Sequence, residues 1–359
     1  MKHYSTTISL FKQMELKGIQ SNLVILSIVI NCFCHLHQMT SAFSVFAKIL
    51  KRGYHPDVIT LSNLMKGLCL NNEVKNALSL HDKVVAQGFR PNEVSYAILI
   101  NGLCKVGETE AAMKLLRIIE GCRLCKSNVV MYAIIIDSLF KQNLAKEAYH
   151  LHSKMISSSI MSNVYIYNIM INALCKEGKI KEAKNVLCVM VKASVKPDNV
   201  TFGTLMGGYI LVNEVQSAKH IFNVMTQIGV IPNVYSYNIM INGLCKSKRV
   251  DEAKNLFQNM HKRNMVPDTV TYTILIDGLC KSGRIADVWD LIDEMHDRNQ
   301  QPNVITYNCL INALCKNYLL DKAFKLFKKM KEKGIQPTIS TWNTLIDGMC
   351  RKGRLEKSR

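Results

Sequence analysis

Proline is scarce in this chain, seven in 359 residues, and tryptophan scarcer, with two. No apolar run reaches the roughly 20 residues of a membrane-spanning helix. The most apolar stretch, Leu23 to Leu36, is 14 residues long and holds Ser27 and Asn31, so no membrane partner is expected. Met1 to Asn22 has no continuous apolar segment of a secretory signal. It also carries no Arg and is interrupted by Glu15, unlike a transit peptide. Thirteen cysteines are too thin for a disulfide scaffold of this length, and an odd number leaves one unpaired. There is no G-x-x-x-x-G-K-S/T loop and no G-x-S-x-G elbow, so no active site and no cofactor are expected. Acidic residues are few: 27 against 46 Lys and Arg, a formal charge of +19. That excess calls for an anionic partner, nucleic acid or a membrane surface. The 48% hydrophobic content excludes a disordered chain.

The seven prolines reveal the organisation. Pro56, Pro91, Pro197, Pro232, Pro267, Pro302 and Pro337 are separated by 35, 106, 35, 35, 35 and 35 residues. The long gap is three periods of 35 and one inserted residue, which falls between Cys122 and Asn128. Cys34, Cys69, Cys104, Cys175, Cys245, Cys280, Cys315 and Cys350 keep the same period at another phase. With proline at position 34, the complete repeats are 23–57, 58–92, 93–128, 129–163, 164–198, 199–233, 234–268, 269–303 and 304–338, flanked by partial repeats 1–22 and 339–359. Nothing is left over for a second domain.

Each repeat reads as two helices. In 234–268, Tyr237, Met240, Ile241 and Leu244 give the i, i+3, i+4, i+7 pattern, and Ala253, Leu256, Phe257 and Met260 give a second such face. Pro267 ends the second helix, and the Asn or Asp after each proline suits the N-cap of the next. One hairpin cannot bury its apolar face, but stacked hairpins can. The expected fold is all-α, a single right-handed α-solenoid of helix-turn-helix repeats over 1–359.

The 35-residue period, Tyr at position 4, Leu-Cys-Lys at 11–13, Met late in the second helix and Pro at 34 make the chain resemble pentatricopeptide repeat proteins. The likeness covers essentially the whole chain and leans to the pure 35-residue, restorer-of-fertility-like plant class. Tetratricopeptide repeats have a period of 34 and another signature. The resemblance implies single-stranded RNA binding in an organelle, one nucleotide per repeat. It implies a mitochondrion, or else a chloroplast, and a role in RNA processing, stabilisation or translation control. A recruited nuclease is one implied partner. Some relatives end in a deaminase with an H-x-E and P-C-x-x-C signature, which this sequence lacks.

By the same resemblance, positions 5 and 35 read the base and position 2 packs on it. The base-reading candidates are Ser27 with Asp57, Ser62 with Asn92, Asn168 with Asp198, Asn238 with Asp268, Thr273 with Asn303, and Asn308 with Thr338. Their donors and acceptors can match a base edge, although Asn, Asp and Thr at position 35 also suit plain N-caps. Ala97, Ala133 and Gly203 offer no side-chain hydrogen bond at position 5. The implied target core is 5′-GANNUNUAY-3′. The base-sandwiching candidates are Val24, Ile59, Val94, Val130, Tyr165, Val200, Tyr235, Val270 and Ile305. They are stiff walls for a base, or simply core residues at a helix start.

Lys105, Lys141, Lys176, Lys246, Lys281 and Lys316 recur at position 13 and are the phosphate-binding candidates. Each alone suits a helix C-terminus; the recurrence with a charge of +19 predicts a basic stripe. The recurrent cysteines read as small buried hydrophobes, and Cys122 with Cys125 is a lone C-x-x-C, so no metal is expected. Two other readings stay open: a peptide- or protein-binding helical scaffold, and a truncated remnant of a longer RNA-binding array.

Overall fold

The computed structural model describes residues 3–121 and 125–357. Among them every regular element is an α-helix, and no helix is long and apolar enough to cross a membrane. The first helices of the repeats are α2 (Leu23–His35), α4 (Val58–Leu70), α6 (Glu93–Lys105), α8 (Val129–Lys141), α10 (Val164–Lys176), α12 (Asn199–Leu211), α14 (Val234–Lys246), α16 (Thr269–Lys281), α18 (Val304–Lys316) and α20 (Ile339–Lys357). The second helices are α1 (Tyr4–Leu16), α3 (Met39–Lys51), α5 (Val74–Ala86), α7 (Thr109–Gly121), α9 (Ala145–Ser157), α11 (Ile180–Lys192), α13 (Val215–Gln227), α15 (Val250–Lys262), α17 (Ile285–Asp297) and α19 (Leu320–Glu332). Cys122, half of the lone C-x-x-C and the start of the inserted segment, lies outside the described residues.

The helices form two compact units, Met1–Met170 and Ile171–Arg359, divided inside α10. In the first, α2, α4, α6 and α8 pack one on the next; in the second, α12, α14, α16, α18 and α20 do the same. Second helices pack on their own first helix and mostly on the following one, as α13 does on α12 and α14. Each unit is therefore a stack of hairpins, the α-solenoid arrangement.

The core repeats with the sequence. Met155, Met190, Met225, Met260, Met295 and Met330 are fully buried. Tyr237 meets Phe222 edge-on at 5.2 Å, and Tyr272 meets Phe257 at 5.4 Å, so position 4 packs on the preceding second helix. Burying one such side chain stabilises by roughly 1.5–3 kcal/mol.

First helices approach closely because glycine at position 10 faces the position-12 side chain of the preceding repeat. A Cβ on Gly278 would lie 2.3 Å from Cys245 Sγ, and one on Gly67 2.3 Å from Cys34 Sγ. Cys34, Cys69, Cys175, Cys245 and Cys315, opposite glycines, are buried, whereas Cys104 opposite Ser138 and Cys280 opposite Ala313 are half-buried. The second helices are joined instead by polar links: Lys219 to Glu252 at 3.0 Å, Lys254 to Asp287 at 3.2 Å, and Arg284 to Asp251.

Candidate nucleic-acid interface

Positions 2, 5, 9 and 13 of a first helix are spaced by three, four and four residues, so they share one face. Position 2 stands out on it. Val24, Ile59, Val94, Val130, Tyr165, Val200, Tyr235, Val270 and Ile305 are all exposed, between 51% (Val200) and 64% (Ile59). The core reading of this row, left open by the sequence, does not hold. Nine apolar side chains are thus kept more than half in solvent at one phase, although the Tyr235 ring also lies over Gly203 of α12.

Asp or Asn at position 35 caps the next helix through its side chain. Oδ1 of Asp57 accepts from Thr60 N at 2.7 Å, that of Asn92 from Ser95 N at 3.0 Å, and that of Asn163 from Ile166 N at 3.1 Å. Asp198 accepts from Thr201 N at 2.9 Å, Asn233 from Ser236 N at 3.0 Å, and Asn303 from Thr306 N at 3.0 Å. Before α20, Thr338 N donates to Thr341 Oγ1 at 3.0 Å. The cap occupies one oxygen and leaves the second polar atom of the carboxylate or amide for other partners.

Position 5 lies beside position 35 of its own repeat. Asn238 Nδ2 donates to Asp268 Oδ1 at 3.3 Å, and Asn308 Nδ2 to Thr338 Oγ1 at 3.4 Å. Burial alone would raise the Asp268 carboxyl, but hydrogen bonds from Thr271 and Asn238 outweigh it and hold the group below the usual carboxylate range. Asn238 Oδ1 is buried without a hydrogen-bond partner. The position-5 hydroxyls behave differently. Ser62 Oγ lies 2.8 Å from Ser95 Oγ, and Thr273 Oγ1 lies 2.8 Å from Thr306 Oγ1, each reaching position 3 of the next repeat. Ser27 Oγ accepts from Asn63 Nδ2 at 3.2 Å. Asn168 is half-buried on α10.

All six position-13 lysines are exposed. Two are ion-paired one turn back: Lys141 with Asp137 at 2.6 Å and Lys281 with Asp277 at 2.5 Å. Arg351 pairs likewise with Asp347 at 2.8 Å. These aspartates, and the position-3 hydroxyls, escaped the sequence reading. An Asp four residues before a Lys on a helix is a readable signal; a hydroxyl that bonds into the preceding repeat is not. Burial pushes the Cys34, Cys69 and Cys175 thiols up to about 11 and Cys245 to about 12. Among the described residues no group of three or more His, Cys, Asp or Glu is placed to hold a metal ion.

Hairpins of this length, stacked first helix on first helix, each with one exposed apolar wall and most with a polar pair beside it, define a helical-repeat protein. Its profile matches bear that out: the PPR repeat family matches residues 21–70, 56–105, 162–211, 200–246, 232–281, 267–316 and 302–351, and the PPR repeat matches 94–124 and 130–160. The chain belongs to the pentatricopeptide repeat family. A mitochondrial pentatricopeptide repeat-containing protein of Arabidopsis thaliana is 56% identical over 43 residues, 12% of this chain and 7% of that protein. A second from the same plant is 54% identical over 43 residues, again 12% of this chain and 7% of that protein. Among solved structures, the maize protein PPR10 in complex with an 18-nt psaJ RNA element superposes with a TM-score of 0.65 at 22% identity. The match covers 93% of this chain and 48% of PPR10, so the chain spans about half the length of that protein, and the likeness is one of fold.

Proposed function

We propose that the chain binds single-stranded RNA, one nucleotide per repeat, and acts by occupying an organellar transcript. The observation that carries this reading is the row of nine exposed apolar side chains at position 2. Stiff β-branched and aromatic walls at a fixed spacing suit bases, whose π-faces stack without regard to sequence. Beside six of the nine walls, the position-5 and position-35 pair supplies the directional hydrogen bonds that sequence reading requires. The reading assigns Ser27/Asp57, Ser62/Asn92, Asn168/Asp198, Asn238/Asp268, Thr273/Asn303 and Asn308/Thr338 to bases. A mitochondrion is the favoured compartment, because a relative carries that label over a short stretch. Cleavage of the bound transcript would need a recruited nuclease.

Selection from a random RNA pool by the purified chain, at two salt concentrations, tests this. Enrichment of a core near 5′-GANNUNUAY-3′ is expected. Salt-sensitive binding without a motif would remove the assigned register. Absence of binding at low salt would turn the assignment to a protein-binding scaffold.

A further inference from the structure

The position-13 row is not uniform, and its variation has a period of two repeats. In repeats 23–57, 93–128, 164–198, 234–268 and in 304–338, position 13 is His35, Lys105, Lys176, Lys246 and Lys316. Position 9 of these same repeats is Asn31, Asn101, Asn172, Asn242 and Asn312, an amide every time. In the repeats between them, position 13 is Leu70, Lys141, Leu211, Lys281 and Arg351. Two of these are uncharged, and the other three are paired with Asp137, Asp277 and Asp347 at position 9. Among the described residues no carboxylate pairs with Lys105, Lys176, Lys246 or Lys316. His35 has Lys66 Nζ at 3.3 Å from its Nε2, so the first station gains its charge from the neighbouring repeat.

Electrostatics separates the two sets. A lysine four residues from an aspartate on one helix face presents almost no net charge. A phosphate approaching Lys141 meets Asp137 as well, and taking the lysine would leave that carboxylate beside the phosphate. Such a station releases no counterion on balance. Where position 9 is Asn, the amide cannot neutralise the lysine, and the full charge stays available. The hydrogen bond that Lys281 donates to Asp277 also raises the lysine above its usual range, in keeping with the 2.5 Å separation of the pair.

We infer that the chain grips the RNA backbone at every second repeat, through Lys105, Lys176, Lys246 and Lys316 with the Lys66–His35 pair ahead of them, while repeats 129–163, 199–233 and 269–303 contact the bases without a free backbone cation. This rests on the RNA-binding reading and narrows its phosphate stations from the six position-13 lysines. Position 5 follows the alternation only between 129 and 338, where Asn168, Asn238 and Asn308 stand in gripping repeats and Ala133, Gly203 and Thr273 in the repeats between; Ser27, Ser62, Ala97 and Asn343 do not follow it.

The test is the salt dependence of affinity of the full chain for labelled RNA containing 5′-GAAAUAUAU-3′, with oligo(U) as a second probe. Replacing Lys176, Lys246 and Lys316 together by Gln is expected to flatten the log–log salt slope by about 2, at about 0.7 per phosphate on single strands. Replacing Lys141 and Lys281 by Gln is expected to leave the slope unchanged. Asp137→Asn with Asp277→Asn frees both lysines and is expected to steepen the slope by about 1.4 and tighten binding. This gain cannot come from a misfolded chain. Equal slope loss per lysine in both sets, or no gain from the aspartate variants, overturns the alternation and leaves RNA binding standing. No binding of the unaltered chain to either probe overturns both.

Discussion

Asn238 and Asp268 illustrate how one pair of side chains serves folding and recognition together. Asp268 caps α16 through Oδ1, which takes Thr271 N at 2.8 Å as well as Asn238 Nδ2 at 3.3 Å. Folding thereby fixes the geometry of the pair before any ligand arrives, and a preorganised reader loses little entropy on binding. The proposed pairing of this repeat with uridine rests on the Asn amide. Asn238→Thr replaces the amide by a hydroxyl and is expected to move the preferred base from U toward G. The shift should be about tenfold in relative affinity, the scale of one hydrogen bond of roughly 1–1.5 kcal/mol. Competition between two RNAs that differ only at that base measures it; an unchanged preference removes Asn238 from the reading role. The caps at position 35 were legible in sequence, because capping depends on four consecutive residues. The fate of position 2 was not. Whether Tyr235 or Val270 at a helix start turns inward depends on how neighbouring repeats are rotated, and a local pattern does not carry that information.

At the scale of the helix, glycine has opposite meanings at adjacent positions. Gly278 lies in α16 against Cys245 of α14, where an added Cβ would sit 2.3 Å from Sγ and 2.7 Å from Cβ. Gly207 lies in α12 with nothing within 4 Å of its Cβ direction. Both would gain up to about 1 kcal/mol of helix propensity from alanine. Overpacking costs about 1–3 kcal/mol and applies only to Gly278. Gly207→Ala is therefore expected to stabilise by about 0.5–1 kcal/mol, and Gly278→Ala to destabilise by up to about 2, as read by urea melts of the two variants. A loss at both, or a gain at both, would show that the close approach of first helices does not set the cost. The helices themselves and their phase were readable from the prolines and the apolar spacing. The pairing of glycine 10 with cysteine 12 was not, since it links residues 33 apart in sequence, Cys245 and Gly278, across two helices whose crossing the pattern does not specify.

A repeat architecture multiplies a small term by the number of repeats, and the buried and half-buried thiols show this in both compact units. Burial pushes Cys34, Cys69, Cys104, Cys175 and Cys309 up to about 11, and Cys245 and Cys280 up to about 12. An unfolded cysteine ionises near 8.5. Between that value and the folded ones, the native chain holds protons that the unfolded chain has released, so stability falls as pH rises. The stabilisation is complete below about pH 8.5 and is lost progressively toward pH 11–12. Both compact units contain such thiols, so neither escapes. Tyr132 and Tyr272, raised by burial and by neighbouring glutamates, add a term of the same sign at still higher pH. The melting temperature is expected to stay level from pH 7 to 8 and then fall steadily above pH 9, by several degrees per unit. Cys245→Ala with Cys280→Ala removes the two most strongly shifted thiols and should make that fall shallower, with little change at pH 7 beyond the lost sulfur contacts. Thiolate absorbance followed through the same titration separates the cysteines from lysines and tyrosines that lose protons nearby. A level melting temperature to pH 10, or thiolates appearing near pH 8.5 in the native protein after the exposed Cys188 and Cys350 are replaced by Ser, would mean that position 12 is wetter than the packing of the first helices allows.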